Sequence, residues 1–351
     1  LAAEHSMWRF TVSQTTPTGV AARRNWLASV ITALVFAGRA ASAEPTTLEL
    51  MQTIPLQGGA GRYDHLAVDG RGGRLFIANL SNNTFDVVDL KAGKLIKQIP
   101  DQRKIQGIAY VSDLDRIFVG NGADGVCNVF DGRDYRLLHT IKLPDADNVR
   151  YDSRTRQVYV IHAEKALTAI DPKTFAVRAT IKLPGAPEGF QIDPTRPRLY
   201  INTLRPARVS VIDTEKNQLV GTYSLTLASA NYPLTLDPTG RRVFVGCRQP
   251  PMVVALNADT GKEVTSFAIP GDTDDIFFDA QRNRLYAICG EGFVAVALRK
   301  SAGRFGVVEK IATIGLARTG LFDPESGRLY VVLPRQSESV GPSLRVYQAK
   351  S

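Results

Sequence analysis

An aromatic residue returns seven times along this chain, as Phe76, Phe118, Tyr159, Tyr200, Phe244, Tyr286 and Tyr330, at intervals of 41 to 44 residues. In six copies an aspartate stands seven residues earlier: Asp69, Asp152, Asp193, Asp237, Asp279 and Asp323. Val111 takes that place in the remaining copy. The stretch Asp193-Pro-Thr-Arg-Pro-Arg-Leu-Tyr200 shows the unit. An acid and turn residues close one strand, a basic residue opens the next, and the aromatic packs inside it. Each period holds four short β-type segments. The first ends near the repeated Asp and the second carries the aromatic. The third ends at Asp89, Asp131, Asp171 or Asp213, and the fourth at Pro100, Pro144, Pro184 or Pro270. Turn signals such as Lys91-Ala-Gly-Lys94 and Asp259-Thr-Gly-Lys262 precede the fourth segment. Helical periodicity is absent. Four strands at this period define a propeller blade. The chain is therefore predicted to be all-β: a seven-bladed β-propeller with four-stranded antiparallel blades.

The two ends of the repeat array complete each other. The last copy stops at its third strand, Leu344–Tyr347, and residues 47–55 form an orphan fourth strand. Pairing them closes the ring by the N-terminal strand and removes two open edges. A chain of 351 residues would suggest two or more domains on length alone, but a repeat fold overrides that prior. Residues 44–351 read as one propeller domain. Residues 1–43 read as upstream residues and a signal peptide, with Arg23-Arg24, an apolar run from Trp26 to Ala37, and an Ala41-Ser42-Ala43 cleavage site. That run is shorter than the ~20 residues needed to span a bilayer. A periplasmic or secreted location follows as an expectation.

Residues 1–43 carry four Arg and one Glu, so the formal charge of +9 falls to +6 without them. No Lys/Arg cluster marks a nucleic-acid surface. The three cysteines, Cys127, Cys247 and Cys289, match no zinc or redox motif and read as buried free thiols.

Phe76-Ile-Ala-Asn79, Phe118-Val-Gly-Asn121 and Tyr200-Ile-Asn-Thr203 resemble the Tyr-Val-Thr-Asn repeat of the YVTN propellers. The phrases Arg62-Tyr-Asp-His-Leu-Ala-Val-Asp69, Asp147-Asn-Val-Arg-Tyr-Asp152, Gly246-Cys-Arg248 and Gly271-Asp-Thr-Asp-Asp275 resemble exported YncE-like members. His162, Cys247, Cys289 and Leu333 depart from the motif's fourth position. The resemblance implies a propeller that binds a ligand, a protein or a nucleic acid, and it implies little about activity.

Counting back from the repeated Asp aligns the blades at one mouth of the central channel. Five positions before it stand Asp64, Gln106, Asp147, Glu188, Tyr232, Asp274 and Arg318. Four before it stand His65, Gly107, Asn148, Gly189, Pro233, Asp275 and Thr319. Positions three and one before it are almost all apolar. The first ring holds four carboxylates against one Arg, which makes the mouth acidic in a basic chain. Such a ring repels phosphate and argues against nucleic acid there, while it suits a cation or a cationic ligand. The competing reading is that these acids pair with Arg62, Arg150, Arg248 and Arg318. The candidate ligand-binding residues are Asp64, His65, Gln106, Asn148, Arg150, Glu188, Tyr232, Asp274, Asp275 and Arg318.

Asn148, Glu188, Asn231 and Asp274 come from four consecutive blades and supply hard oxygen ligands of the kind a divalent cation such as Ca²⁺ takes. The set resembles that of calcium-dependent lactonases, which have six blades. His65 could act as a base or metal ligand, His162 could meet it at the mouth, and His139 reads as surface. The sequence shows no nucleophile elbow, phosphate loop, dinucleotide fingerprint or haem-attachment motif. Three readings follow. The first is a monomeric binding or scaffold protein whose mouth holds a small ligand or a periplasmic protein. The second is a Ca-dependent lactonase- or esterase-type hydrolase. The third is a cofactor-associated redox partner.

Overall fold

The computed structural model describes residues 46–300 and 303–351, so the expected signal peptide lies outside the described residues. Those residues form seven separate four-stranded antiparallel sheets, and no α-helix occurs among them. Blade 1 is built from Leu66–Asp69, Arg74–Asn79, Thr84–Asp89 and Lys94–Ile99, laid side by side in chain order from the axis outward. The next five blades repeat this order. Their innermost strands are Ile105–Val111, Val149–Asp152, Ala186–Ile192, Ser229–Asp237 and Thr273–Asp279. Blade 7 takes three strands from the end of the chain, Gly320–Asp323, Arg328–Leu333 and Ser343–Ala349, and its outermost strand, Leu48–Pro55, from the beginning. The register runs from Leu48 opposite Ala349 to Pro55 opposite Ser343, which is the ring closure expected from the sequence.

The apolar residues fall into seven clusters, and each bridges two neighbouring blades. No blade has a core of its own, so the unit that buries apolar area is the interface between blades. All seven repeated aromatics are at most 1% exposed. Burying each in place of leaving it exposed is worth on the order of 2 kcal/mol. The cluster joining blades 7 and 1 includes Ile54 and Leu56, so the closing strand contributes side chains as well as ladder hydrogen bonds.

The repeated Asp sits at the base of the ring, as the last residue of the innermost strand or, for Asp193, the residue just after it. Asp193 accepts from the backbone N–H groups of Thr195 and Arg196 at 2.9 and 3.1 Å, and from Arg196 Nε at 2.8 Å. Asp69, Asp237 and Asp279 accept in the same way from Gly72, Gly240 and Arg282. The basic residue of the turn then reaches the next blade, as Arg196 does to Asp259 at 2.7 Å and Arg74 to Asp115 at 3.2 Å. In blade 2, where Val111 replaces the acid, Asp115 accepts Tyr110 Oη at 2.9 Å and supplies the missing charge. Cys127, Cys247 and Cys289 are buried free thiols.

Candidate functional site

At the mouth the innermost strands are irregular. The ladder slips between Ile105 and Ile108, Pro187 and Phe190, Asn231 and Leu234, and Thr273 and Asp275. The residues five and four before the repeated Asp therefore sit on β-bulges in blades 2, 4 and 5, and Asp274 does so in blade 6. A bulge breaks the two-residue alternation of side chains and re-aims them. In blades 1, 3 and 7 the strand begins only after these positions. The mouth side chains are thus placed by local turns and ion pairs instead of by the pleat.

The acids do meet arginines. Asp274 accepts Arg248 Nη2 at 2.7 Å and Arg318 Nε at 2.9 Å. Asp272, which counting back did not select, binds the same two guanidiniums, at 3.3 Å from Arg248 and 2.8 Å from Arg318. The run of acids in Gly271–Asp275 was the available signal for it. Arg248 also lies 3.8 Å from the centre of the Tyr232 ring, a cation–π contact that locks both groups. Asp64 accepts Arg62 Nη2 at 3.1 Å. His65 is held between two carboxylates, with Nε2 3.7 Å from Asp64 and Nδ1 3.4 Å from Asp275. Asp275 further accepts the Gly320 N–H at 2.9 Å. Burial disfavours the His65 imidazolium, but Asp275 and Asp64 outweigh it and hold its pKa above the ordinary histidine value. Gln106 spends its amide on the Ala146 carbonyl at 3.3 Å, joining blades 2 and 3.

Two acids stand outside this network. Asp147 and Glu188 have no ion-pair partner among the described residues, and both face a recess of about 230 Å³ that Asp145 and His162 also line. Burial, then the charges of Asp147 and Asp274, push the Glu188 carboxyl up to about 7. Burial likewise raises Asp147. Asp145 is neutralised by Lys104 at 2.6 Å.

The four oxygen ligands expected for a divalent cation are not brought together. Asn148 and Asp274 line the central channel, Glu188 the recess, and Asn231 a separate hollow beside Leu204 and Gln249. Asn231 is fully buried, and its amide donates to Asn202 Oδ1 at 3.1 Å and to the Arg208 carbonyl at 3.0 Å. The bulge that follows Asn231 turns it into the joint between blades 4 and 5. Among the described residues no group of three or more His, Cys, Asp or Glu is arranged to hold a metal ion. His65 and His162 do not meet either: His162 binds Thr168 Oγ1 at 2.9 Å and faces the recess. His139 is exposed and stacks on Phe175.

These features define an all-β, seven-bladed propeller with a charged mouth. No family model matches the chain. It is similar to the uncharacterized protein YncE of Salmonella typhimurium, at 24% identity over 266 residues, covering 69% of this chain and 72% of that protein. The YncE of Salmonella typhi matches to the same extent. Among solved structures, a chain of Kuenenia stuttgartiensis hydrazine synthase superposes with a TM-score of 0.70 at 16% identity, covering 79% of this chain and 94% of that one. That likeness is one of fold.

Proposed function

We propose that this chain is a YVTN-type binding or scaffold propeller, working in the periplasm or outside the cell, that uses its mouth to hold a ligand or protein partner bearing a cationic group. The observation that supports this reading most directly is the pair Asp147 and Glu188. Every other acid of the counted rings has a counter-charge, whereas these two face open space and repel one another. A bound ammonium or guanidinium would relieve that repulsion and favour their ionised forms. The distant likeness to YncE proteins fits a binding propeller. The location rests on the export signal expected from the sequence at Arg23–Ala43. The lactonase-type alternative draws less support, since the Asn231 amide is spent on Asn202 and the Arg208 carbonyl at the joint between blades 4 and 5. The redox-partner alternative gains only a shared fold from the hydrazine synthase chain.

The test is binding of spermidine at pH 8 and low salt, followed by calorimetry. Glu188→Gln combined with Asp147→Asn is expected to weaken it roughly ten-fold, the effect of losing charge-assisted contacts. Equal binding by the variant and the unmodified protein would remove the recess from the proposal.

A further inference from the structure

Below the rim, the ring of residues two positions before the repeated Asp reads Ala67, Ala109, Arg150, Gln191, Thr235, Phe277 and Leu321. Five of these, Arg150 to Leu321, line a cavity of about 190 Å³ on the propeller axis. The ring is one-sided. Blades 3 to 5 present a cation and two uncharged polar groups, blades 6 and 7 present half-buried apolar side chains, and blades 1 and 2 present alanines. Arg150 is the one charge in the ring. Its Nε donates to the Phe190 carbonyl at 3.1 Å and its guanidinium lies 5.7 Å from the Phe190 ring centre. Its two terminal nitrogens have neither a hydrogen-bond nor an ion-pair partner among the described residues. The nearby acids are committed elsewhere: Asp275 to His65 and the Gly320 N–H, Asp274 to Arg248 and Arg318. Asn148, 4% exposed and bordering the same cavity, has an Oδ1 without a partner.

An unpaired guanidinium in a narrow channel is costly, and the partner that matches its two terminal nitrogens is a carboxylate bound side-on. Burial pulls the Arg150 pKa down and Asp275 only partly offsets it, in keeping with a charge that lacks its counter-ion. The size and the opposite wall narrow the class further. An engineered cavity of about 150 Å³ holds benzene, so this one has room for a single ring or a short branched chain. Phe277 and Leu321 offer such a body an apolar face. The acids of the rim repel a phosphate dianion about twice as strongly as a monocarboxylate, and phosphate has no use for the apolar wall.

We propose that the channel is a binding site for a small organic monocarboxylate with an apolar body, the carboxylate on Arg150 and the body against Phe277 and Leu321. This goes beyond cation binding at the rim, since it uses different side chains and holds or fails independently of Asp147 and Glu188. The experiment titrates the full chain with benzoate, benzyl alcohol and inorganic phosphate by calorimetry at pH 7.5. Benzoate is expected to bind, with the alcohol and phosphate at least about ten-fold weaker. Arg150→Gln should lower benzoate affinity roughly ten-fold or more, and Arg150→Lys should recover only part of it. Phe277→Ala should weaken benzoate as well. The site is overturned if benzyl alcohol or phosphate binds as tightly as benzoate, or if benzoate shows no binding up to about 10 mM. The ligand series on the unmodified protein decides the matter even where a variant fails to fold.

Discussion

The smallest unit that carries structure here is one aspartate with the turn that follows it. Asp193 has a side chain 1% exposed, and burial alone would favour its neutral form. Hydrogen bonds from Thr195 and Arg196 override that and hold its carboxyl below the usual range. Asp193→Ala would leave Arg196 and two turn N–H groups without their acceptor. The expected loss is about 3 kcal/mol, seen as a lower denaturant midpoint with an unchanged slope. Asp193→Asn keeps an acceptor and should cost about half as much. An alanine variant within 0.5 kcal/mol of the parent, the scatter of ordinary surface changes, would reduce this turn to decoration. At this scale the sequence was legible wherever a residue repeats, because repetition is a statement about the scaffold. Residues that do not repeat were read less well. Asn231 looked like a channel ligand and proved to be a joint between blades. Arg150 stood both as a candidate ligand residue and, in the competing reading, as a partner for rim carboxylates; its terminal nitrogens make no such pair, and it lines the channel below the rim. Neither fate is written in the residue type. Both depend on which way the strand is facing when it reaches the axis.

That facing is decided by the strand as an element. Below the mouth, the inner strands pair in strict register, so counting back from the Asp predicts their inward and outward sides. At the mouth, bulges in four blades and late strand starts in the other three interrupt the count. The rings drawn from the sequence therefore contain the right neighbourhood and the wrong orientations. The closing strand was legible for the opposite reason: both halves of an incomplete blade are visible as missing pieces. Leu48 and Ile54 are 4% and 0% exposed, and the Thr47 N–H donates to Glu309 in blade 6 at 2.8 Å. A chain shortened to start at Gln57 loses these contacts and exposes the edge of Ser343–Ala349. Its melting temperature is expected to fall by roughly 10 °C or more, several buried side chains being lost at once. Co-melting of the shortened and intact chains in a differential scanning experiment would show that the ring does not need its clasp.

Taken whole, the molecule has two charged faces with opposite responses to pH. At the base and outer turns, acids are held ionised. The Arg178 hydrogen bond draws Asp171 down to about 2, and Asp193, Asp213 and Asp259 are lowered by turn N–H groups or arginines. A group whose folded pKa lies below its unfolded value contributes stability above the unfolded value, and that contribution is lost as pH falls toward the folded one. At the mouth the shifts run the other way. Glu188 is raised from 4.5 to about 7, burial raises Asp64, Asp147 and Asp274, and His65 is raised as well. Each of these groups binds its proton more tightly in the folded state. Each therefore adds stability on the acid side of its unfolded pKa and loses it as pH rises through the folded one. The base turns and the mouth together place maximal stability between about pH 4 and 6, with a decline toward pH 9. Glu188 alone contributes on the order of 3 kcal/mol to that decline, between about pH 4.5 and 7. Glu188→Gln should flatten the profile across that interval and leave the acid limb, set by the base, unmoved. Spermidine in the recess should flatten the same interval, since an added cation lowers the pKa of the acids it touches. Melting temperatures measured every half pH unit from 3.5 to 9 would show this. A curve that rises steadily from pH 5 to 8 in the unmodified protein would mean that the mouth carboxyls are ionised at no cost, and the electrostatic basis for a cation site at the rim would go with it.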